Sequence, residues 1–583
     1  MSSTELPRSM QKPFDFQLVS GFSMNPSLLA YVAFFLFNSL KIVLYVIFLI
    51  QQVNMKILGY EFLRTLMIIV ILYPLIYKLG SKVLMGTLYI LQTLYIIVNL
   101  GYYFYFGSYL NVIQCITLFR EAFSVVEQFA VPLNIKMLLV FIDLPVFVYI
   151  LFALKRPEQR KKKSGKQMLV VLLAPVLILA ALEGLNYVRN YSIVNFLQNP
   201  SRDANDTQLV KVQGTVINNV VNVIRYSDEG NVIDKFQYGK EISSSPASSS
   251  KSQNPDGNPA PNYILIQVES MDANIVNQTY KGQYVTPFLH SLESQSIYYP
   301  YAMSYHGGGG TSDSEFSVLN SMEALQDYPS LKLNSYEYPN SLIKRLDNAS
   351  YTTMAFHGNI GGFFNRTEAF RKIGYGNFYD SQKMELPEKG WGMPDNEVFS
   401  FAFDKLESVS GPFLAHIITM SSHGPFTLVR SYYNNPLYDD IGDKTVKEYY
   451  NSFSYVDECI GEFVSNVRAK YKNTYIIIYG DHTPNIKSQV YSQAAFTMDG
   501  RYFEFVPMMV LTPDGKVRKE TKEVASFLDV APTVLKTSGI SYEFMSDGQV
   551  LTGDSLESGE LPFRGGSYGR QLLFNYASAT AAP

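Results

Sequence analysis

Five long apolar stretches in the first 190 residues constrain this chain more than anything else in it. They run over roughly 28–50, 58–78, 83–105, 134–154 and 167–187. A helix needs about 20 apolar residues to cross a bilayer, and each stretch meets that length. The reading is therefore a transmembrane domain of five helices over 1–187. Residues 1–26 are polar and lack the basic, apolar and small-residue pattern of a cleavable signal peptide. Between the fourth and fifth stretches lie Lys155, Arg156, Arg160, Lys161, Lys162, Lys163 and Lys166. By the positive-inside rule this loop faces the cytoplasm, and Lys78 and Lys82 agree with it. An odd number of spans then places everything after about 188 outside. The 106–133 segment falls on the outer side too, with Tyr109, Phe119, Phe123 and Phe129 suited to the interface. Lys41, Glu61, Arg64 and Asp143 lie within the spans. Charges there either line a polar path or headgroup cavity, or are absorbed locally, Lys41 by snorkelling and Glu61 by pairing with Arg64.

A connector follows over 188–261. Its first part carries Val216, Ile217, Val220 and Val221, which fit a juxtamembrane helix, and 241–262 is rich in Ser, Pro, Gly and Asn. That composition is a linker. From 262 to 583 short apolar runs alternate with longer amphipathic segments, the pattern of an α/β domain with a largely parallel central sheet. The net charge of −3 gives no whole-chain basicity for nucleic acid, and two cysteines, Cys115 and Cys459, form no disulfide framework or metal knuckle.

The chemistry lies at the ends of the apolar runs. Tyr263–Val268 ends at Glu269. Tyr351–Phe356 ends at His357. Phe413–Met420 leads to His423, and Thr474–Tyr479 to Asp481 and His482. In open α/β sheets ligands bind beyond the carboxyl ends of the strands. All six histidines lie in this half. Gly307 to Gly310 then run into Thr311, Ser312, Asp313, Ser314 and Glu315, which reads as a helix start. Backbone N–H groups and the helix dipole favour an anion there, and a hydroxyl at that place can attack phosphate. Glu269, Asp481 and His482, with Thr311 as a fourth ligand, offer a divalent cation mixed oxygen and nitrogen donors. Mn²⁺, Zn²⁺ and Mg²⁺ all suit such a set. His357 and His423 can hold phosphate oxygens or serve a hydroxyl. Arg366 offers a planar phosphate grip beside an aromatic floor at Phe363 and Phe364. His416, inside an apolar run, reads as a core residue, His290 as a helix-surface one. His306 stays open between a supporting role and none. Trp391 and Asp395 read as a residue near the cleft and a helix cap.

Seven pieces occur in one order: VES at Val268–Ser270, TPFL at Thr286–Leu289, GGTSDSEF around Thr311, HGN with FFNR at His357–Arg366, WGMPD at Trp391–Asp395, MSSHGPF at Met420–Phe426 and YGDH at Tyr479–His482. Together they resemble the lipoteichoic acid synthase family, within the alkaline phosphatase superfamily of sulfatase-like folds. The resemblance implies an extracytoplasmic sulfatase-like catalytic domain over 262–583, on a multi-pass bacterial cytoplasmic membrane protein. It implies Thr311 as nucleophile, with Glu269, Asp481 and His482 as co-ligands of one Mn²⁺ and His357, Arg366 and His423 as substrate contacts. The donor would be phosphatidylglycerol and the acceptor a glycan or glycolipid of the envelope. Phe364 stands where that family typically shows Trp, and Asn359 where an acidic residue often sits. Phosphoethanolamine transfer on the same fold is the alternative, beside other metal-dependent phosphodiesterases. A formylglycine sulfatase lacks its Cys/Ser-x-Pro-x-Arg sequence at Thr311–Glu315.

Overall fold

The computed structural model describes residues 26–50, 82–106, 135–153, 173, 177, 180–189, 192–198, 217–221, 223–224, 229–244 and 260–580, with 327, 387–391, 485 and 487 excepted. They fall into two compact units. One holds residues up to Phe104 and those between Pro132 and Leu185; the other holds most of the rest, from Asn186 on.

In the first unit the apolar stretches form α1 (Pro26–Ile50), α2 (Lys82–Phe106) and α3 (Leu144–Ala153), the last preceded by a 3₁₀ turn over Ile135–Phe141. By the described residues alone, no helix is long and apolar enough to cross a membrane. The stretch at 58–78, with Glu61 and Arg64, lies outside the described residues. Lys41 does not snorkel. Its ammonium is fully buried against Asp143 at 3.3 Å and donates to Thr93 Oγ1 at 2.8 Å. Asp143 also accepts from Tyr89 OH at 2.8 Å and Asn38 Nδ2 at 2.9 Å. A charge this deep survives only when paired and hydrogen-bonded, and here both conditions hold.

The second unit is built on a ten-stranded sheet. Its main strands are β2 (Asn262–Val268), β3 (Ile297–Met303), β4 (Thr352–His357), β5 (Asn377–Tyr379), β6 (Phe413–Ile418), β7 (Thr474–Gly480) and β8 (Arg501–Leu511). Their order is β3-β8-β7-β2-β6-β4-β5. The sheet is mixed rather than largely parallel throughout. From β7 to β5 all neighbours are parallel, but β8 runs antiparallel to both β7 and β3. A buried run such as 501–511 reads alike in either direction, because burial on both faces leaves no alternation to give one away.

Alternation within β2 sends Tyr263 and Leu265 into one core and Ile264, Ile266 and Val268 into the other. The first core includes Phe316, Val318 and Leu319 of α4 (Thr311–Asn320). The second is closed by α5 (Lys444–Lys470). Its Val446, Tyr449, Phe453, Val456, Ile460, Val464 and Val467 recur at helical spacing and are all buried. Asp443 caps its start by accepting from Thr445 N and Val446 N. Layers of helix, sheet and helix result. Residues 240–244, within the stretch read as connector, form β1 (Lys240–Ser244), antiparallel to β9 (Tyr542–Ser546).

Candidate active site

Register places the functional side chains before chemistry does. Val268 pairs with Gly480, Gln267 with Ile418, and Ile418 with His357. The carboxyl ends of β7, β2, β6 and β4 therefore lie level, and Glu269, Asp481, His482 and His357 leave the sheet along one edge. Hydrogen bonds fix them there. Glu269 N donates to Thr419 Oγ1 at 3.0 Å and Asp481 N to Val268 O at 3.1 Å. Gly480 has to be glycine, since a Cβ there would sit 2.1 Å from Met271 O.

Thr311 is the first residue of α4, behind Gly310 at φ 54°, a conformation that costs glycine little. Each side chain in this turn has a task. Ser312 Oγ donates to Gly309 O at 2.7 Å. Asp313 accepts from Gly309 N at 2.7 Å. Ser314 Oγ donates to Asp481 O at 2.8 Å. Gln267 Nε2 reaches Thr311 O at 3.2 Å. The helix is thus tied to the strand ends that carry the acids, and Thr311 Oγ1 donates to Glu269 Oε2 at 2.8 Å.

Glu269, Asp481 and His482 bring one ligand atom each within 4.8 Å of one another. Asp481 Oδ1 accepts from Ser270 N and His482 N, both at 2.7 Å. Its Oδ2 is buried and has no hydrogen-bond partner among the described residues. His482 Nδ1 lies 2.9 Å from Thr483 O. A carbonyl only accepts, so Nδ1 donates there; Nε2 faces inward, 3.4 Å from Glu269 Oε1 and 3.5 Å from Asp481 Oδ2, and against the pull of burial these two carboxylates raise the imidazole well above its ordinary value. Burial opposes ionisation of Glu269, but His423, His482 and Thr311 bring its carboxyl well below the usual range. Burial, with Glu269 beside it, pushes Asp481 well up. Two carboxylates in one dry corner share a need for positive charge. An orphaned carboxylate oxygen, a second carboxylate and an oriented imidazole fit a divalent cation, with Thr311 Oγ1 in reach as a further donor.

His357 and His423 flank this group. His357 Nδ1 donates to Ile418 O at 3.2 Å, and His423 Nδ1 to Gly424 O at 2.7 Å. Burial, then Arg366, brings His357 down to about 3, and burial lowers His423. Both rings are neutral near pH 7, with Nε2 as the lone-pair nitrogen. That tautomer suits taking a proton from a hydroxyl better than donating to a phosphate oxygen. Arg366 is 2 % exposed and bound to Glu315, Nε at 2.9 Å and Nη2 at 2.6 Å from Oε1. Phe364 lies over its guanidinium, 5.5 Å from ring centre to Cζ. Phe364 and Asn365 both adopt positive φ, 53° and 59°, a strained turn for residues with side chains.

Residues 261–540 match the family model described as Sulfatase. Over these residues the chain is similar to the sulfatase family. Among curated relatives, lipoteichoic acid synthase 2 of Bacillus subtilis is 30% identical over 323 residues, covering 53% of this chain and 49% of its own. Lipoteichoic acid synthase of Staphylococcus saprophyticus is 31% identical over 329 residues, covering 53% and 50%. The chain thus spans about half the length of the relatives it matches. Among solved structures, lipooligosaccharide phosphoethanolamine transferase A of Neisseria meningitidis, an integral membrane protein, is similar with a TM-score of 0.53 at 15% identity. That likeness covers 88% of this chain and 95% of the other, and it shows fold alone.

Thr483 and Glu504 escaped sequence reasoning, and they join His306, which it left open. The His306 ring stacks on His482 with centroids 4.6 Å apart, and its Nδ1 lies 2.8 Å from Glu504 Oε2. Thr483 Oγ1 donates to Glu504 Oε1 at 2.6 Å. A lone Glu in the apolar run of β8 was the available signal. Asp395 opens a helix (Asp395–Glu407), but its carboxylate accepts from Met420 N and Ser421 N, steadying the approach to His423 rather than capping its own helix. His416 is a core residue between Tyr375 OH and Tyr479 OH. His290 pairs with Asn277 and stacks on Tyr284. Trp391 lies outside the described residues.

Proposed function

We propose that this chain is a membrane-anchored phosphoglycerol transferase acting outside the bacterial cytoplasmic membrane. It moves glycerol phosphate from phosphatidylglycerol, through a phosphothreonine at Thr311, to a glycan or glycolipid acceptor. The observation that carries this reading is the Thr311 hydroxyl, at a helix N-terminus, 2.8 Å from Glu269 and beside the unsatisfied oxygen of Asp481. The relatives named lipoteichoic acid synthase, at about 30% identity, support the choice of reaction.

In the first half-reaction the Thr311 oxygen bonds to phosphorus and gives its proton toward Glu269, its hydrogen-bond acceptor. The bond from phosphorus to the diacylglycerol oxygen breaks, and that oxygen takes up the proton passed on from Glu269 and leaves as diacylglycerol. Arg366 faces the phosphate as a fixed cation, and the positive end of the α4 dipole lies at Thr311. In the second half-reaction an acceptor hydroxyl gives its proton to the Nε2 of His357 or His423, its oxygen bonds to phosphorus, and the Thr311 oxygen departs and regains a proton from that imidazolium. Glu269, Asp481, His482 and Thr311 would hold Mn²⁺, or Mg²⁺ or Zn²⁺ in its place; the chemistry so supplied is stabilisation of negative charge on the threonine oxygen.

The five apolar stretches and the basic loop at 155–166 support the multi-span anchor. Residues 1–187 are assigned to it, 188–261 to a connector, and 262–583 to the catalytic domain. Incubation with glycerol-labelled phosphatidylglycerol and Mn²⁺ tests the reaction. Label should appear on the protein at Thr311 and vanish in Thr311→Ala; label on the Ala variant at the normal rate would end the proposal. The adduct mass separates glycerol phosphate from the alternative headgroup, phosphoethanolamine.

A further inference from the structure

We propose that Glu315 is a positioning residue for this transfer, anchoring Arg366 by one edge so that the opposite edge of the guanidinium meets the phosphate under attack. This rests on the reading of Thr311 as nucleophile. Glu315 comes four residues after Thr311 on α4, so both side chains lie on one face of the helix. Side chains on a helix lean toward its N-terminus, which tilts Glu315 toward the turn that holds the nucleophile.

The contacts are one-sided. Arg366 Nε lies 2.9 and 3.0 Å from the two Glu315 oxygens, and Nη2 2.6 Å from Oε1. This uses the Nε–Nη2 edge. Among the described residues Nη1 makes only a long contact to Phe363 O, at 3.5 Å, near the limit for a hydrogen bond. Phe364 covers one face of the guanidinium at 5.5 Å. A guanidinium gripped along one edge and covered on one face can take a phosphate only along its remaining edge.

Arg570 is the contrast within the same domain. It meets Asp529 with both terminal nitrogens, at 2.8 and 2.7 Å, and its Nη1 also donates to Val524 O at 2.9 Å. That pair spends the terminal edge, the one Arg366 keeps available. Glu315 is fully buried and Arg366 nearly so, so neither exchanges its partner for water. Arg366 also bears electrostatically on His357 and His423, which places its charge at the sheet edge where the histidines sit.

The test uses the full chain, glycerol-labelled phosphatidylglycerol and Mn²⁺, with labelling of Thr311 as readout. Glu315→Gln keeps the volume and loses the charge. It should lower the maximal labelling rate at least tenfold while KM stays within about threefold, the pattern of lost transition-state alignment. The double variant Glu315→Gln with Arg366→Gln should be no slower than Arg366→Gln alone, because Glu315 acts through Arg366. Multiplying losses in the double variant, or a Glu315→Gln rate within twofold of the parent, would overturn the inference. If Glu315→Gln does not fold, Glu315→Asp keeps the charge and draws the anchor back by about one methylene. A folded Glu315→Asp protein with the parental rate would overturn it equally. Thr311→Ala keeps the two failures apart. Normal labelling there removes the nucleophile reading itself, whereas a dead Thr311→Ala beside normal Glu315 variants removes only the role of Glu315.

Discussion

Two buried ion pairs, one in each unit, show how the same element can close a structure or equip a site. Lys41 and Asp143 in the helical unit are both fully buried. Around them Thr93, Tyr89 and Asn38 complete the bonding, Asn38 is joined to Gln92, and the Tyr89 ring lies 4.4 Å from the ammonium. Every polar group in that knot faces another. Arg366 and Glu315 in the second unit are almost as deeply buried, yet among the described residues one nitrogen of the arginine makes only a long contact. Burial alone does not separate a staple from a tool. What separates them is whether the bonding capacity of the cation is used up.

That contrast can be broken by experiment, and the largest effect should fall on the Arg366 side. Arg366→Gln should cost on the order of 10²–10³ in Thr311 labelling, the usual loss when a charge-stabilising donor is removed; a loss below tenfold would make Arg366 another staple. Next comes the helical pair. Asp143→Asn leaves Lys41 buried without its counter-charge and should lower stability by about 3–5 kcal/mol, read by denaturation in detergent. Labelling per folded molecule should be unchanged. The double change Lys41→Met with Asp143→Leu should recover most of that stability; failure to do so would argue that the polar knot has a task beyond holding helices.

Asp529→Asn is the sharper control, since Arg570 sits in the same unit as Arg366. It should lower the melting temperature by several degrees and leave the labelling rate of the folded fraction within about twofold. The smallest effect is on pH dependence. Burial brings His416 down to about 3, far below the imidazole value of 6.5, and His357 likewise. Between pH 6.5 and 3 the unfolded chain binds protons that the folded chain refuses. Stability therefore falls as pH falls through that window and levels off below it. His416→Gln should remove about half of the slope these two histidines cause; an unchanged slope would mean that His416 is protonated in the fold.

Three strands of the parallel half were legible because their buried runs end abruptly in an ionisable residue. Glu269, His357 and Asp481 mark their own place at the sheet edge, and Thr311 is marked by the glycines before it. The direction of β8 was not legible, for want of alternation. Nor was the bond between Glu315 and Arg366, 51 residues apart, since charge–charge partners carry no spacing rule across a fold. Phe364 over Arg366 depends on two residues at positive φ, which neither residue type announces. The pairing of β1 with β9 joins positions some 300 residues apart, and the serines after β1 masked it.

The first turn of α4 has a consequence for the order of events. Ser312 and Asp313 are committed to Gly309, Ser314 to Asp481 and Glu315 to Arg366, so the helix that bears Thr311 is held against rotation and sliding. On the proposed reading, donor and acceptor must visit one immovable oxygen by turns, and the incoming alcohol waits until the departing lipid has cleared the spot. The pace of the whole cycle would then be governed by traffic at the membrane surface instead of by bond-making.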